Sequence, residues 1–237
     1  MAKSSKDRDR RAIVEEMRKK QQAQERRRTL LAFLAALAVA AVIIGFALVQ
    51  YLDARQKESR DLSDIGVAKS AASCQPVKRE SAEGNQQHVA SGVKVDYDAA
   101  PPAYGEHDGN YLRGAEVKNF YTVDDRPPVE RLVHSLEHGY TIVWYDESIA
   151  DDDAAMDDVR AIASRYPVGD YVMVAPWTKE DGDAFPEETH IAMTHWTGGE
   201  DKDQEGIWQY CGKVSGESVQ TFVEDFPKSN SPEPNGG

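Results

Sequence analysis

The chain has 237 residues with 41 Asp/Glu against 28 Lys/Arg, a formal net charge of −13 that conceals a split: residues 1–28 carry +6 and the remainder −19. So acidic a larger part repels phosphate backbones and excludes nucleic acid as its partner, while glycine-rich phosphate loops, nucleophile elbows and kinase signatures are absent, which sets aside the common nucleotide enzymes and serine hydrolases. The length accommodates one membrane segment and one domain of roughly 150 residues.

In chain order, residues 1–28 read as a basic, polar helical segment with the blocks Arg18-Lys19-Lys20 and Arg26-Arg27-Arg28. Attraction to anionic lipid explains them without a protein partner, and Val14 and Met17 do not sustain a heptad repeat. Residues 29–49, Thr29 to Val49, contain no charge and are rich in Leu, Ala, Val and Ile. At 1.5 Å per residue they extend about 31 Å, enough to cross the hydrocarbon core. The run is too long for a signal-peptide core and no clean cleavage site follows, so an uncleaved single-pass anchor is the expectation. Arginines on the near flank and mixed charge on the far flank place the N-terminus in the cytoplasm and the rest outside the plasma membrane. Residues 50–73 then read as a polar extracytoplasmic linker ending in small residues.

The two cysteines, Cys74 and Cys211, bracket the following region. In an oxidising compartment a disulfide between them is the first expectation, closing a loop whose constraint stabilises the fold by on the order of 5 kcal/mol in the chain-entropy model. A thiolate pair for copper or redox chemistry is the competing reading, weakened by the absence of a C-x-x-C spacing.

Residues 74–228 are expected to form the globular domain. Gly84 to Tyr97 contains His88 and spaced valines, read as a first strand. Pro101-Pro102 stiffen an extended approach to Gly105, which permits a sharp turn ending at His107. From Pro128 a helix is expected, with Val129, Leu132, Val133 and Leu136 at i, i+3, i+4, i+7. Its other side carries His134 and His138, four residues apart, with Glu137 between them as ligand, base or orienting group. The letters also spell the H-x-x-E-H pattern of inverzincin proteases. Against that reading, Gly139 stops the helix, the β-rich run Tyr140 to Tyr145 follows at once, and no second long helix with a placed Glu is evident.

Together, Pro101-Pro102-x-x-Gly105-x-His107 and Leu132-Val133-His134-Ser135-Leu136-Glu137-His138-Gly139 resemble the bacterial domain-of-unknown-function family numbered 3105. The resemblance covers Cys74 to Pro227 and implies a short-tailed, single-anchor envelope protein of no established activity. It also implies that His88 is the histidine that opens the family's domain.

Ser148 to Tyr166 reads as a second helix whose Asp151-Asp152-Asp153 supplies capping charge rather than a calcium loop, since the Gly and distal Glu of such a loop are missing. Strands are expected at Tyr171–Pro176, His190–Trp196 and Ile207–Cys211, and a closing helix at Glu217–Phe226. In the middle strand Met193 and His195 share a face, a pairing that suits Cu(I) or simple core packing. Residues 229–237 have the composition of a disordered tail.

These elements predict an α+β fold, a mainly antiparallel sheet with helices packed on one face. Two functions are compatible with them. In the first, His107, His134, His138 and Glu137 bind Zn or Cu in an extracytoplasmic domain, for hydrolysis, storage or delivery. In the second, the histidines are structural and the anchored domain is a non-catalytic module that recruits an envelope protein.

Overall fold

Thr29 to Val49 belong to one long helix, α1 (Lys3–Glu58). In this computed structural model residues 3–58, 60–199 and 203–236 are described; Met1, Ala2, Ser59 and Gly237, which belong to the predicted basic segment, linker and tail, lie outside them. The chain forms two units, Met1–Ala54 and Arg55–Gly237. In the first, Glu15–Lys19 and Glu16–Lys20 pair one turn apart, and the apolar side chains of residues 30–49 are exposed. The helix is long and apolar enough to cross a membrane.

The second unit is built on a five-stranded sheet. In chain order its strands are β1 (Lys78–Ser81), β4 (Thr141–Tyr145), β5 (Val172–Pro176), β6 (Ile191–Thr197) and β7 (Glu205–Cys211), with the short strands β2 (His88–Val89) and β3 (His107–Asp108) forming a separate pair. The helices are α2 (Val129–Glu137), α3 (Glu147–Ala150), α4 (Asp153–Ser164) and α5 (Gly216–Asp225). Spatial order is β1-β7-β6-β4-β5, antiparallel except for β4 and β5. That parallel pair needs a crossover, which α3 and α4 supply. The fold is therefore α+β with a mainly antiparallel sheet, as predicted.

The helices divide between the two faces of the sheet instead of sharing one. Alternation within β4 sends Val143 and Tyr145 to one core with Val159, Ile162, Val219 and Phe222 of α4 and α5. It sends Ile142 and Trp144 to the other, with Leu132, Val133 and Leu136 of α2. Every residue of β4 and β5 is buried, so both faces require cover.

Other local expectations change for physical reasons. Only His88–Val89 of the predicted strand at 84–97 is extended, and the sheet's edge is instead β1, whose side chains are all exposed and so carry no apolar alternation to read. The predicted helix at 148–166 breaks in two because Asp146 and Asp152 each cap a separate N-terminus, the latter accepting from the N–H groups of Ala154 and Ala155. The latter part of the predicted linker joins the folded unit: Ile65 and Ala72 are buried, and Val67 N–H donates to Val214 O. Cys74 and Cys211 are joined as a disulfide.

Candidate metal centre

Two backbone segments and one helix build the site. β2 and β3 run parallel with His88 opposite His107, held by His107 N–H to Gln87 O and Gly109 N–H to Val89 O. Gly105, at φ +137°, turns the chain just ahead of β3, a conformation that disfavours a Cβ. α2 lies against β3 and presents His134, Glu137 and His138, with His134 Nδ1 donating to Asp108 O at 2.6 Å. The side of α2 opposite its apolar stripe is therefore interior: His107, His134, Glu137 and His138 are all buried, while the side chain of His88 is about half exposed.

The predicted quartet is brought together, but the four-donor group within 4.8 Å includes His88 in place of His138. Glu137 Oε2 lies 3.1 Å from His107 Nε2 and 3.9 Å from both His88 Nε2 and His134 Nε2. One donor atom from each of His88, His107, His134 and Glu137 falls within 4.8 Å of all the others, a group that could hold a metal ion. Metal–nitrogen bonds of about 2.0–2.1 Å place tetrahedral donors roughly 3.4 Å apart, so the widest pairs must draw together by about an ångström or more to close this shell. His138 stands outside it, forming a second group with Glu137 and Glu233.

Tautomers sharpen the picture. His107 Nδ1 donates to Gly105 O at 2.8 Å, which directs Nε2 into the cluster. That buried Nε2 lies 3.1 Å from Glu137 Oε2 but outside hydrogen-bonding geometry, so it is aimed at the carboxylate without a satisfied bond. His134 likewise donates from Nδ1 and directs Nε2 inward, where His138 Nε2 sits 2.9 Å away and must be the donor of that pair. Glu137 Oε1 is occupied by Gln86 Nε2 at 2.6 Å, and Gln86 is held in turn by Gln204. This relay leaves Oε2 free to face the imidazoles, an outer-shell arrangement typical of metal sites.

Electrostatics keep the donors in their metal-binding forms. Burial, reinforced by His107 and His138 against the opposing bond to Asp108, pushes the His134 imidazole down to about 4. Burial alone would raise Glu137, but His107 and Gln86 beside it hold its carboxyl below the ordinary range. Near neutral pH the cluster thus offers a neutral imidazole at His134 and a carboxylate at Glu137.

A family model described as a protein of unknown function, DUF3105, matches residues 88–236. The chain belongs to the DUF3105 family. The match opens on His88 and includes His107, His134, Glu137, His138 and Glu233, while α1 lies before it. No curated protein and no solved structure matches the chain.

The folded unit also uses residues that sequence patterns did not single out. Gln86 and Gln204 are ordinary surface amides by type. His88 carried a sequence signal, its position at the domain's opening, but nothing local tied it to His107. The tail, read as disordered, lies over α2 instead: Ser231 is fully buried, Glu233 N–H donates to Glu137 O, and Glu233 O lies 3.3 Å from His138 Nδ1. A Cβ at Gly139 would meet Lys228 and Ser231 within 3 Å, so this glycine makes room for the tail. His190 and His195 stand apart from the cluster. His190 Nδ1 faces Asp146, whereas His195 and Met193 are fully buried, Met193 within the apolar core.

Proposed function

We propose that this DUF3105 protein is a single-pass, membrane-anchored domain outside the cytoplasm that binds one divalent transition metal through His88, His107, His134 and Glu137. The observation that carries the reading is the convergence of one donor atom from each of His88, His107, His134 and Glu137 within 4.8 Å of one another, with the buried Nε2 of His107 only 3.1 Å from Glu137 Oε2. Three imidazoles and one carboxylate suit Zn(II) or Cu(II). The metal would act as a Lewis acid or as cargo, and the half-exposed His88 leaves that side of the shell approachable by water or an exogenous ligand. His134 cannot keep its bond to His138 while ligating through Nε2, so metal binding competes with that contact. The arginines ahead of the apolar run and the Cys74–Cys211 disulfide support the proposed orientation.

Metal analysis of the full chain, purified in detergent without chelator or affinity histidines, tests the assignment. About one ion per chain is expected, lost in His107→Ala and Glu137→Gln and reduced in His88→Ala, but largely retained in His138→Ala. Substoichiometric metal, unchanged across these variants, would instead assign the histidines to the fold and favour the envelope interaction module.

A further inference from the structure

Beside His138 lies a cavity of about 310 Å³, lined by Tyr111, Arg113, Ser135, His138, Tyr140 and Tyr171 among others. None of the four proposed metal ligands lines it. We propose that this cavity is a binding site for a small planar organic carboxylate, such as an aromatic acid.

Three independent observations support that chemistry. The first is charge: in a protein of net charge −13, no acidic residue lines the cavity and its one lining guanidinium is Arg113. Both oxygens of the neighbouring Glu116 are taken by the fork of Arg131, at 2.8 and 2.9 Å. Arg113 is stacked on the Tyr111 ring at 4.1 Å; it feels the Glu116 carboxylate but forms no ion pair among the described residues, so its guanidinium can pair with a ligand carboxylate.

The second observation is shape. Tyr111 packs against His138 at 5.4 Å and Tyr140 against Tyr171 at 4.8 Å, so two aromatic pairs line the cavity and offer ring surface to a flat body. The volume is at the lower end for ligand pockets, room for one substituted ring rather than a nucleotide. The third is unspent hydrogen bonding. Tyr97, Tyr121, Tyr145 and Tyr210 each donate their hydroxyl to a backbone carbonyl, whereas no protein partner exists among the described residues for the hydroxyls of Tyr111, Tyr140 and Tyr171. Three unpaired phenols around one cavity beside an unpaired guanidinium form a donor set for an anion.

Benzoate and its neutral isostere benzamide, titrated calorimetrically into the full chain in detergent, provide the test. Benzoate is expected to bind at least about tenfold more tightly than benzamide, and Arg113→Gln should abolish that preference. Arg113 is exposed, so the variant is expected to fold; Tyr140→Phe, which removes one hydroxyl and no bulk, should weaken benzoate without altering the far-ultraviolet spectrum. Equal binding of the two probes, absence of saturable binding, or an Arg113→Gln protein indistinguishable from wild type would overturn the proposal. Repeating the titration on chelator-treated protein and on His107→Ala separates this site from the metal centre. Benzoate binding that persists in both supports the cavity, whereas binding lost in both places the probe on the metal and overturns it.

Discussion

His195 occupies β6 with Nδ1 donating to Tyr140 O at 3.1 Å and its buried Nε2 without a partner. The Phe226 ring lies 6.4 Å away, so a proton on Nε2 would place a charge in apolar surroundings, and burial pushes the imidazole down to about 4. The unfolded ring takes up its proton as pH falls through about 6.5, while the folded ring does so only near 4. Stability should therefore decline as pH falls from about 6.5 to 4, by on the order of 3 kcal/mol from this residue, and flatten below. His134 is shifted in the same direction. Urea unfolding of metal-free protein across that range checks the slope, and His195→Leu should make it shallower; equal slopes would count against a buried neutral ring.

At the level of elements, α2 shows what periodicity can and cannot convey. Its apolar stripe correctly marks Leu132, Val133 and Leu136 as core positions. The same pattern puts His134 and His138 on the side away from the stripe, and they are buried there because β3 and the tail cover that side of the helix. Amphipathicity identifies the face turned to the sheet but is silent about a second layer laid on the polar face. The turn before β3 is legible as Pro-Pro followed by Gly, and its consequence is testable. Gly105 combines φ +137° with Tyr97 carbon atoms 3.0 and 3.2 Å from where a Cβ would stand. Gly105→Val should thus displace His107 and lower metal content to the level of His107→Ala; full metal retention would show the turn tolerates a side chain.

Across the whole molecule, the disulfide links residues 137 apart, tying the segment just ahead of β1 to the end of β7. Constraining so long a loop contributes on the order of 5 kcal/mol in the entropy model, so Cys74→Ala/Cys211→Ala should lower the unfolding midpoint markedly. Non-reducing electrophoresis should show a compact monomer that slows on reduction, and two alkylatable thiols in native protein would contradict this. For orientation, protease added to intact protoplasts should digest the folded unit; survival until lysis would place it in the cytoplasm.

By itself the sequence determined the local properties: the apolar helix, the α+β order of elements, the cysteine pair, the Gly105 turn and three of the four atoms-bearing residues grouped at the cluster, His107, His134 and Glu137. Each is encoded by residues close together in the chain, or by the only available partner. Tertiary structure alone decided that His88 stands opposite His107, that Gln204 braces Gln86 against Glu137, and that the tail covers His138. Those contacts join segments far apart in the chain through two-residue strands and single amides, features too short to leave a periodic pattern, so only the packing of the folded unit selects them.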